Sequence, residues 1–438
     1  MDKLLNTACR KADSAEVYFI ASKKYDIRFE NYVLAGIENR IQSGYSLRVI
    51  KDGYIGTSYT KNLTDREALV ERALVSLAGK VNAGFSFPAG HKPDDLRSYD
   101  PKIEELTSQK IINRLKRVSE YFDQYGDGQL NIEAGYGSDY IKIINSNGLD
   151  IENRSSIYHA CPMLLFPNSY ASIKTLFFWT CFNEIPEAEL KGMRDMYLKG
   201  LPEVYPKSAS MPVIFYPHAL FTLMWRICEA ASSKSIFENI SPVKDKIGQR
   251  IFSEKITITD NPHYVGDPNA RGFDDEGTPT TRFTLIENGV LKGFYNNLDY
   301  ADKLKTDPTG HGYRSAMWGG EAITLSPMPK LANLHIEPGG SSFDDMITAV
   351  KRGILVIGSL GAHSGNIVNG DFTIGLNPGI YIEDGEIRGR IKHGMISGNI
   401  YDTMKSITSI EDRVHRTQWG NFPAMCLDDI RFSSAGVV

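Results

Sequence analysis

Residues 366–388 read Asn-Ile-Val-Asn-Gly-Asp-Phe-Thr-Ile-Gly-Leu-Asn-Pro-Gly-Ile-Tyr-Ile-Glu-Asp-Gly-Glu-Ile-Arg, and two kinds of sequence meet in them. The part through Gly379 is rich in Gly and Asn, whose small side chains let a second backbone come close. The part that follows alternates apolar and polar residues around Asp384-Gly385, a dipeptide that favours a tight hairpin turn. The pattern predicts a permissive loop beside a rigid hairpin. Such a unit either lines a cleft or is an ordinary strand–turn–strand.

The N-terminal segment, residues 1–87, carries hairpin and helix signals of the same kind. Lys51-Asp52-Gly53 separates two runs rich in strand-forming residues, which predicts a second tight hairpin. Thr64-x-x-Glu67 has the spacing of a capping box and predicts the start of a helix. A strand meander covered by a helix is an α+β unit, so we expect one α+β domain here.

Two further domains follow in the chain. Residues 84–101 are rich in Gly and Pro without periodicity and are interpreted as a linker. Residues 105–207 combine a helix predicted over 108–122, several strands and a second helix, which indicates a central α+β domain. Ser172–Phe182 is predicted to be one long strand whose aromatic side chains pack in the core. Residues 211–438 predict a β-rich C-terminal domain, so the fold class is α+β with two N-terminal subdomains.

Composition excludes several classes of protein. The 438 residues are 42% hydrophobic and 23% charged, which is typical of a globular protein. The net charge is -4 and no block of Lys or Arg appears, so nothing supplies the positive charge that nucleic-acid binding needs. No apolar run has the length of a membrane span, and the N-terminus lacks a signal-peptide core. Five cysteines without a Cys-x-x-Cys pair indicate reduced thiols, and we expect a cytoplasmic protein.

Three motifs in the last third of the chain resemble the C-terminal signature of the TldD/PmbA family, whose members are often labelled as modulators of DNA gyrase. They are Gly370-Asp371-Phe372-Thr373-x-Gly375, Tyr381-Ile382-Glu383-Asp384-Gly385 and Ile396-Ser397-Gly398-Asn399. Phe273-Asp274-Asp275-Glu276-Gly277 resembles a further element of the family. The family contains zinc metallopeptidases and PmbA-type companion subunits. The resemblance covers most of the chain and implies the same division near residue 207.

The zinc ligands of the catalytic members have no match in this sequence. Those members carry His-Glu-x-x-x-His on the first helix of the C-terminal domain and a cysteine ligand near the C-terminus. Two imidazoles and a third ligand hold the metal, and the glutamate activates a water molecule. Here His218 is not followed by glutamate, and no second histidine lies in the next turns. Trp419 stands in the apparent position of the cysteine. The resemblance therefore implies no cofactor in this chain, with zinc only in a TldD-type partner.

No other catalytic site is evident from the sequence. The remaining histidines form no pair at ligand spacing. Gly358-Ser359-Leu360-Gly361 is not the Gly-x-Ser-x-Gly of a nucleophile elbow, so the catalytic residues stay unknown. Cys426 is interpreted as a structural thiol. Glu276 is either a general base or a carboxylate that caps nearby backbone N–H groups.

Several residues of the family-like region are candidates for a cleft that binds an extended peptide. A peptide strand pairs its N–H and C=O groups with an exposed backbone, and small residues let the two backbones approach. Alternatively, these glycines only serve tight turns. The peptide-cleft candidates are Asp274, Asp275, Glu276, His311, His363, Asn366, Gly370, Asp371 and Gly375.

By resemblance, the chain is predicted to be a PmbA-like subunit that pairs with a TldD-type zinc peptidase subunit and assists proteolysis of unfolded peptides. We expect a homo- or heterodimer that binds neither nucleic acid nor membrane. Two alternatives remain open. One is a homodimeric peptide-binding or scaffold protein without proteolytic function, and the other is an independent peptidase with an unusual site.

Overall fold

The structure is a computed structural model that describes residues 1–123, 128–316 and 319–434. Its helices and strands are assembled into several sheets with helices packed on their faces, so the predicted α+β class is confirmed. None of the helices in the described ranges has the combination of length and apolarity that spanning a bilayer requires.

The first half of the chain is built on one seven-stranded antiparallel sheet in the order β3-β2-β1-β4-β5-β6, with β7 also paired to β5. Residues 1–207 contain α1 (Asp2–Cys9), β1 (Ser14–Glu30), β2 (Val33–Lys51), β3 (Tyr54–Thr60), α2 (Arg66–Ser76), α3 (Ser108–Asp123), β4 (Gln129–Asn145), β5 (Asp150–Leu165), β6 (Ser172–Lys174), β7 (Phe177–Trp179), α4 (Glu187–Gly200) and β8 (Glu203–Val204).

The segments expected as two N-terminal subdomains share this sheet. Strand β1 pairs with β2 on one side and with β4 on the other along most of its length. Apolar residues of β1 pack against α3, because Ile27 and Ile111 belong to the same buried cluster. The two segments therefore share one sheet, while β1 contributes to two cores: Ala15 and Val17 pack in the core that contains α1 and α2, and Ile27 packs in the core that contains α3.

Two local predictions in this half are corrected. The expected long strand over Ser172–Phe182 is two short strands, β6 and β7, which pair with different parts of β5. The capping residue of α2 is Asp65, whose side chain accepts a hydrogen bond from the Ala68 N–H at 2.9 Å. Asp65 supplies the same first-turn capping that was assigned to Thr64, because either side chain places an oxygen near the free N–H groups of the first turn.

The second half forms a ten-stranded sheet, a six-stranded sheet and a two-stranded sheet. Its helices are α5 (Pro217–Ala231), α6 (Ser233–Phe237), α7 (Leu298–Leu304), α8 (Phe343–Thr348) and α9 (Ile400–Thr403). Its strands are β9 (Ala209–Phe215), β10 (Ile258–Asp260), β11 (Phe283–Glu287), β12 (Val290–Leu291), β13 (Gly312–Tyr313), β14 (Met328–Pro329), β15 (Leu334–Ile336), β16 (Arg352–Val356), β17 (Ser359–Leu360), β18 (Asp371–Leu376), β19 (Gly379–Glu383), β20 (Glu386–Ile391), β21 (Gly394–Asn399), β22 (Ile407–Ile410), β23 (His415–Arg416), β24 (Gly420–Phe422) and β25 (Met425–Ser434).

The ten-stranded sheet is covered on both faces. Its order is β17-β18-β21-β25-β9-β16-β19-β20-β8, with β22 also paired to β25. Val213 and Phe215 of β9 pack in the core that contains α5, whereas Ile214 packs in the core that contains α4. Alternate residues of a strand point to opposite faces, so the sheet joins the C-terminal core to the N-terminal half. The predicted hairpin at Asp384-Gly385 is confirmed, with both turn residues at positive φ between β19 and β20.

Candidate functional site

Asp274 lies in a fully buried turn and its carboxylate is occupied by backbone donors. One oxygen accepts from the N–H groups of Glu276 and Thr278, both at 2.9 Å, and the other accepts from the Gly312 N–H at 2.8 Å. Burial raises the pKa of the Asp274 carboxyl, and the three N–H donors oppose that rise. This carboxylate therefore holds the turn in shape.

Glu276 connects the two halves of the molecule. Its Oε1 lies 2.8 Å from Arg48 Nη1, and its Oε2 accepts from the Leu298 N–H at 2.7 Å. Arg48 belongs to β2 and is also held by Glu16 of β1, whose Oε1 lies 2.9 Å from Arg48 Nε. All three charged side chains are buried. A buried arginine between two carboxylates fixes the position of one domain on the other.

Asp275 completes this junction. Its Oδ2 accepts from the Arg314 N–H at 2.7 Å, and its Oδ1 lies 2.9 Å from Arg271 Nη2. Arg314 Nη1 in turn donates to Ser46 Oγ of β2 at 3.0 Å. The placement of Asp274, Asp275 and Glu276 in a peptide cleft is therefore corrected, because their carboxylates are buried and engaged within the chain. Arg271, four residues before Asp275, is the sequence signal for an internal charge network, whereas Arg314 lies 39 residues after Asp275 and gives no such signal.

His311 is also an interior residue. Its Nδ1 lies 2.9 Å from Thr309 Oγ1, its Nε2 lies 3.4 Å from Asp260 Oδ2, and its ring packs edge-on against Phe283 with centroids 5.3 Å apart. Only 1% of its surface is exposed. A peptide in a surface cleft cannot reach this imidazole, so its assignment to the cleft is corrected as well.

The other five candidates lie together on β18 and on the preceding loop, residues 361–370, which we call the glycine loop. His363 and Asn366 are exposed in the loop, Gly370 is buried at its end, and Asp371 and Gly375 belong to β18. The structure therefore separates the nine candidates into an internal charge junction and a surface group.

Arg226 of α5 ties the glycine loop to the helix. Its Nε donates to the Asp371 carbonyl at 2.7 Å and its Nη2 donates to the Ser364 carbonyl at 2.8 Å. Its Nη1 donates to the Thr222 carbonyl one turn earlier in the helix. Burial lowers the pKa of this guanidinium to about 10. The planar guanidinium holds one carbonyl of the loop and one of β18, and so fixes the loop and the start of the strand against α5. Arg226 has no recognisable signature in the sequence, because the groups that it binds are backbone carbonyls.

The glycines of the loop and β18 serve different purposes. Gly365 and Gly370 adopt φ values of 93° and 85°, which favour glycine. A Cβ at Gly370 would also lie 2.7 Å from Ile400. Gly375 has neither restriction, since a Cβ there would meet Leu360 Cβ at 3.6 Å, an ordinary contact. The turn explanation therefore accounts for Gly365 and Gly370 but not for Gly375.

The sheet edge beside the loop is partly open. Strand β17 pairs with β18 only at its end, through Ser359–Leu376 and Leu360–Gly375. In the parts of the chain that the structure describes, no strand pairs with the outer side of β18 over residues 371–374. Thr373 on this edge is exposed. A short run of edge backbone therefore lies next to the glycine loop and α5. Within this run the Asp371 N–H already donates to the Asn366 carbonyl at 3.1 Å, and the Asp371 carbonyl already accepts from Arg226.

Aromatic rings fill the place where α5 meets the segment around Trp419. Phe221 of α5 stacks on Trp419 with ring centroids 3.9 Å apart and planes 9° apart, and Trp225 lies parallel to Phe221 at 6.2 Å. These are the two chain segments that carry the metal ligands in the zinc-binding members that the sequence resembles. Carbon rings offer no zinc donor, so the residues present at this junction do not fit the metal. Among the residues with described positions, no three His, Cys, Asp or Glu converge as a metal site.

His218, at the start of α5, is half-buried, and its ring lies beside that of Tyr216 with centroids 6.3 Å apart. Burial lowers the pKa of its imidazole to about 4, and nearby Lys174 and His415 lower the pKa further in the same direction. Glu411 holds His415, with the His415 Nε2 2.9 Å from the Glu411 Oε1. His218 is therefore a neutral side chain near the boundary with the N-terminal half.

Comparison with known proteins agrees with this architecture. Residues 208–434 match the family described as PmbA/TldA metallopeptidase C-terminal domain, and residues 15–77 match PmbA/TldA metallopeptidase domain 1. An uncharacterized protein of Methanocaldococcus jannaschii is 26% identical, over 94% of this chain and 95% of its own. Metalloprotease PmbA of Escherichia coli O157:H7 is 23% identical, over 93% of this chain and 89% of its own.

A solved structure shows the same fold. TldE from Thermococcus kodakarensis superposes with a TM-score of 0.91 at 23% identity, over 99% of this chain and 100% of that one. The match to the C-terminal domain family alone spans more than half of the sequence. The resemblance seen in the sequence motifs is therefore confirmed, and the chain belongs to the TldD/PmbA family.

Proposed function

We propose that the chain is a PmbA-like subunit of a TldD/PmbA-type metallopeptidase system and assists the proteolysis of unfolded peptides without a zinc site of its own. The observation that carries the proposal is the stack of Phe221 on Trp419, with centroids 3.9 Å apart. It fills the junction at which a catalytic member would need imidazole and thiolate donors. A chain of this family with an aromatic junction keeps the scaffold, and a TldD-type partner supplies the zinc.

The proposed contribution of this chain is to hold the peptide. The edge of β18 from Phe372 to Ile374 offers backbone groups to an extended strand, and recognition through backbone pairing has little sequence preference, as unfolded substrates require. Arg226 fixes the neighbouring glycine loop through two carbonyls, so the edge is presented by a rigid support. His363 and Asn366 are exposed on the same loop and can contact the side chains or polar groups of a peptide.

The test is reconstitution with a TldD-type zinc subunit. The chain and the partner are purified separately and together, zinc is measured by elemental analysis, and cleavage of an unstructured peptide is followed in each sample. We expect no stoichiometric zinc and no cleavage with the chain alone, and faster cleavage by the partner when the chain is added.

Two results would overturn the proposal. One is stoichiometric zinc in the chain alone that is lost in His218→Ala, because this would place a metal site on α5. The other is a chain that neither associates with the partner nor changes its rate of cleavage, which would favour a non-proteolytic peptide-binding or scaffold protein.

A further inference from the structure

The hairpin of β1 and β2 leaves one long strand edge without a partner. Strand β2 runs from Val33 to Lys51, but β3 pairs only with its second half, Tyr45–Lys51. Along residues 33–44, β2 pairs with β1 on its inner side, and no described strand pairs on its outer side. Unpaired strand edges are templates for pairing with another chain, and proteins usually shorten or cover them.

Exposed apolar residues lie along this same edge. Ile37 is 49% exposed and Ile41 is 73% exposed, and Val33 and Leu34 near the hairpin tip are exposed as well. Ile37 and Ile41 are four residues apart, and because side chains alternate along a strand they project from the same face of the sheet. An edge strand with apolar residues on one face is a surface that association would cover.

The length available for pairing has two limits. Thr60 of β3 already lies opposite Tyr45, so an incoming strand must end before that position. At the other end the register with β1 shifts between Arg28 and Phe29, which places an irregularity near Ala35 and bends the hairpin tip. The regular, uncovered edge is therefore residues 36–42, Gly-Ile-Glu-Asn-Arg-Ile-Gln.

This segment is complementary to itself when two copies run antiparallel with Asn39 opposite Asn39. Ile37 of one copy then faces Ile41 of the other, and Glu38 faces Arg40. Each contact occurs twice because a two-fold axis passes between the two Asn39 residues. Opposite charges and apolar pairs that face each other across strands stabilise a sheet.

Neighbouring registers lack this complementarity. A shift that centres the axis on Glu38 places the two glutamates opposite each other, and a shift that centres it on Arg40 places the two arginines opposite each other. Centring on Ile37 leaves Glu38 facing Gly36 and Arg40 facing Leu34. Like charges that face each other destabilise a strand pair, so the charges select the register centred on Asn39.

We propose that residues 36–42 form an antiparallel β-ladder with the same residues of a second copy, joining the two N-terminal sheets into one continuous sheet. The occupant of the edge is a second copy of this chain, because the segment matches its own reversed order in both charge and apolarity. The inference goes beyond the peptidase-subunit role and does not depend on it, since it rests on the N-terminal hairpin alone.

Charge exchange tests both the interface and its register. Glu38 and Arg40 are 65% and 50% exposed, so changing them leaves the fold intact, which a thermal melt checks. In the Glu38→Arg variant positions 38 and 40 are both arginines, so arginines of one copy face arginines of the other. In the Arg40→Glu variant both positions are glutamates, and glutamates face each other in the same way. We expect the wild type to be a dimer by light scattering at micromolar concentration. Each single variant should dissociate with a dissociation constant raised about 10-fold or more, because like charges then meet twice per dimer.

Two recovery experiments follow from the same register. A mixture of the two single variants should form a heterodimer, because arginines of one then face glutamates of the other, and the double exchange Glu38→Arg/Arg40→Glu should dimerise as the wild type does. Arg282→Glu is the matched control, since Arg282 forms an exposed ion pair with Glu337 in the C-terminal half. It should leave the dimer unchanged.

Three outcomes would overturn the proposal. If the wild type is monomeric, a second copy does not bind this edge. The edge would then be open to a peptide or to a different subunit. Single variants that remain as dimeric as the wild type place the interface elsewhere. Single variants that dissociate but fail to pair when mixed contradict the register centred on Asn39.

Discussion

Arg48 Nη1 of the N-terminal sheet lies 2.8 Å from Glu276 Oε1 of the C-terminal domain, and both side chains are buried. The contact lies where the two halves of the molecule meet. Glu16 holds the same guanidinium from within the N-terminal sheet, so Arg48 has one carboxylate partner in each half. The Asp-Asp-Glu run, which was a candidate for the peptide cleft, thus connects the two halves of the molecule.

Removing this arginine is expected to destabilise the protein strongly. Arg48→Met leaves Glu16 and Glu276 buried without their cation, and breaking a buried ion pair on one side costs about 3–5 kcal/mol. The free energy of unfolding from urea titration measures the effect. Arg282→Met is the control, because its exposed pair with Glu337 contributes about 0–1 kcal/mol. If the free energy of unfolding falls by similar amounts in Arg48→Met and Arg282→Met, the contacts of Arg48 do not act as a buried charge network.

The half-buried His218 is expected to make stability depend on pH. Its pKa is lowered to about 4 in the folded chain, against about 6.5 in an unfolded chain. Between these values the unfolded state binds more protons, so stability is complete above pH 6.5 and falls as the pH is lowered through this window. Lowering the pH from 7 to 5 should cost about 1–2 kcal/mol from this residue.

The control for this effect is His218→Gln, which cannot titrate. Urea unfolding of both proteins at pH 7 and pH 5 gives two differences, and the wild type should lose more stability than the variant. Equal losses would mean that His218 is protonated in the folded state as easily as in the unfolded one.

Gly375 and Gly370 are expected to respond differently to valine. Gly375→Val introduces a Cβ into ordinary contact with Leu360, so the variant should fold with a near-normal melting temperature. Gly375 itself pairs with Leu360, but a larger side chain there lies beside the unpaired run that ends at Ile374 and should obstruct a peptide backbone. Cleavage by the zinc partner should then no longer be supported. Gly370→Val should lower the melting temperature, because it combines a φ of 85° with a Cβ 2.7 Å from Ile400.

The comparison is made by thermal melts and by a cleavage assay with the partner present. A folded Gly375→Val protein that supports cleavage undiminished would remove this part of β18 from the peptide-binding surface. If Gly375→Val is unfolded, the fold itself requires glycine at this position. That result would contradict the ordinary contact distance between an added Cβ and Leu360.

Trp419 is expected to stabilise the end of the chain through its stack on Phe221. Trp419→Ala should lower the free energy of unfolding by about 1–2 kcal/mol, since a half-buried ring loses its packing. Tyr170→Ala, a change at a ring that is 95% exposed, is the control and should have almost no effect. Equal stability of Trp419→Ala and wild type would indicate that the stack contributes nothing to folding.

The sequence by itself determined the family, the α+β class and the hairpin turns. Asp384-Gly385 marks its turn because its two residues adopt positive φ, a local property that needs no information about distant contacts. The lack of a glutamate after His218 and the presence of Trp419 are likewise readable from the sequence alone, and the absence of a zinc site that they imply by resemblance stays a prediction.

Only the tertiary structure decided which candidate residues face solvent. Asp274 and Asp371 both belong to family-like motifs that contain glycine. The side chain of Asp274 is buried among backbone N–H donors, whereas Asp371 is exposed on β18. The pairing of β1 with both β2 and β4, the contact between Arg48 and Glu276, and the bond from Arg226 to the Asp371 carbonyl join residues far apart in the chain. These contacts depend on how sheets and helices pack in three dimensions, which local sequence patterns do not encode.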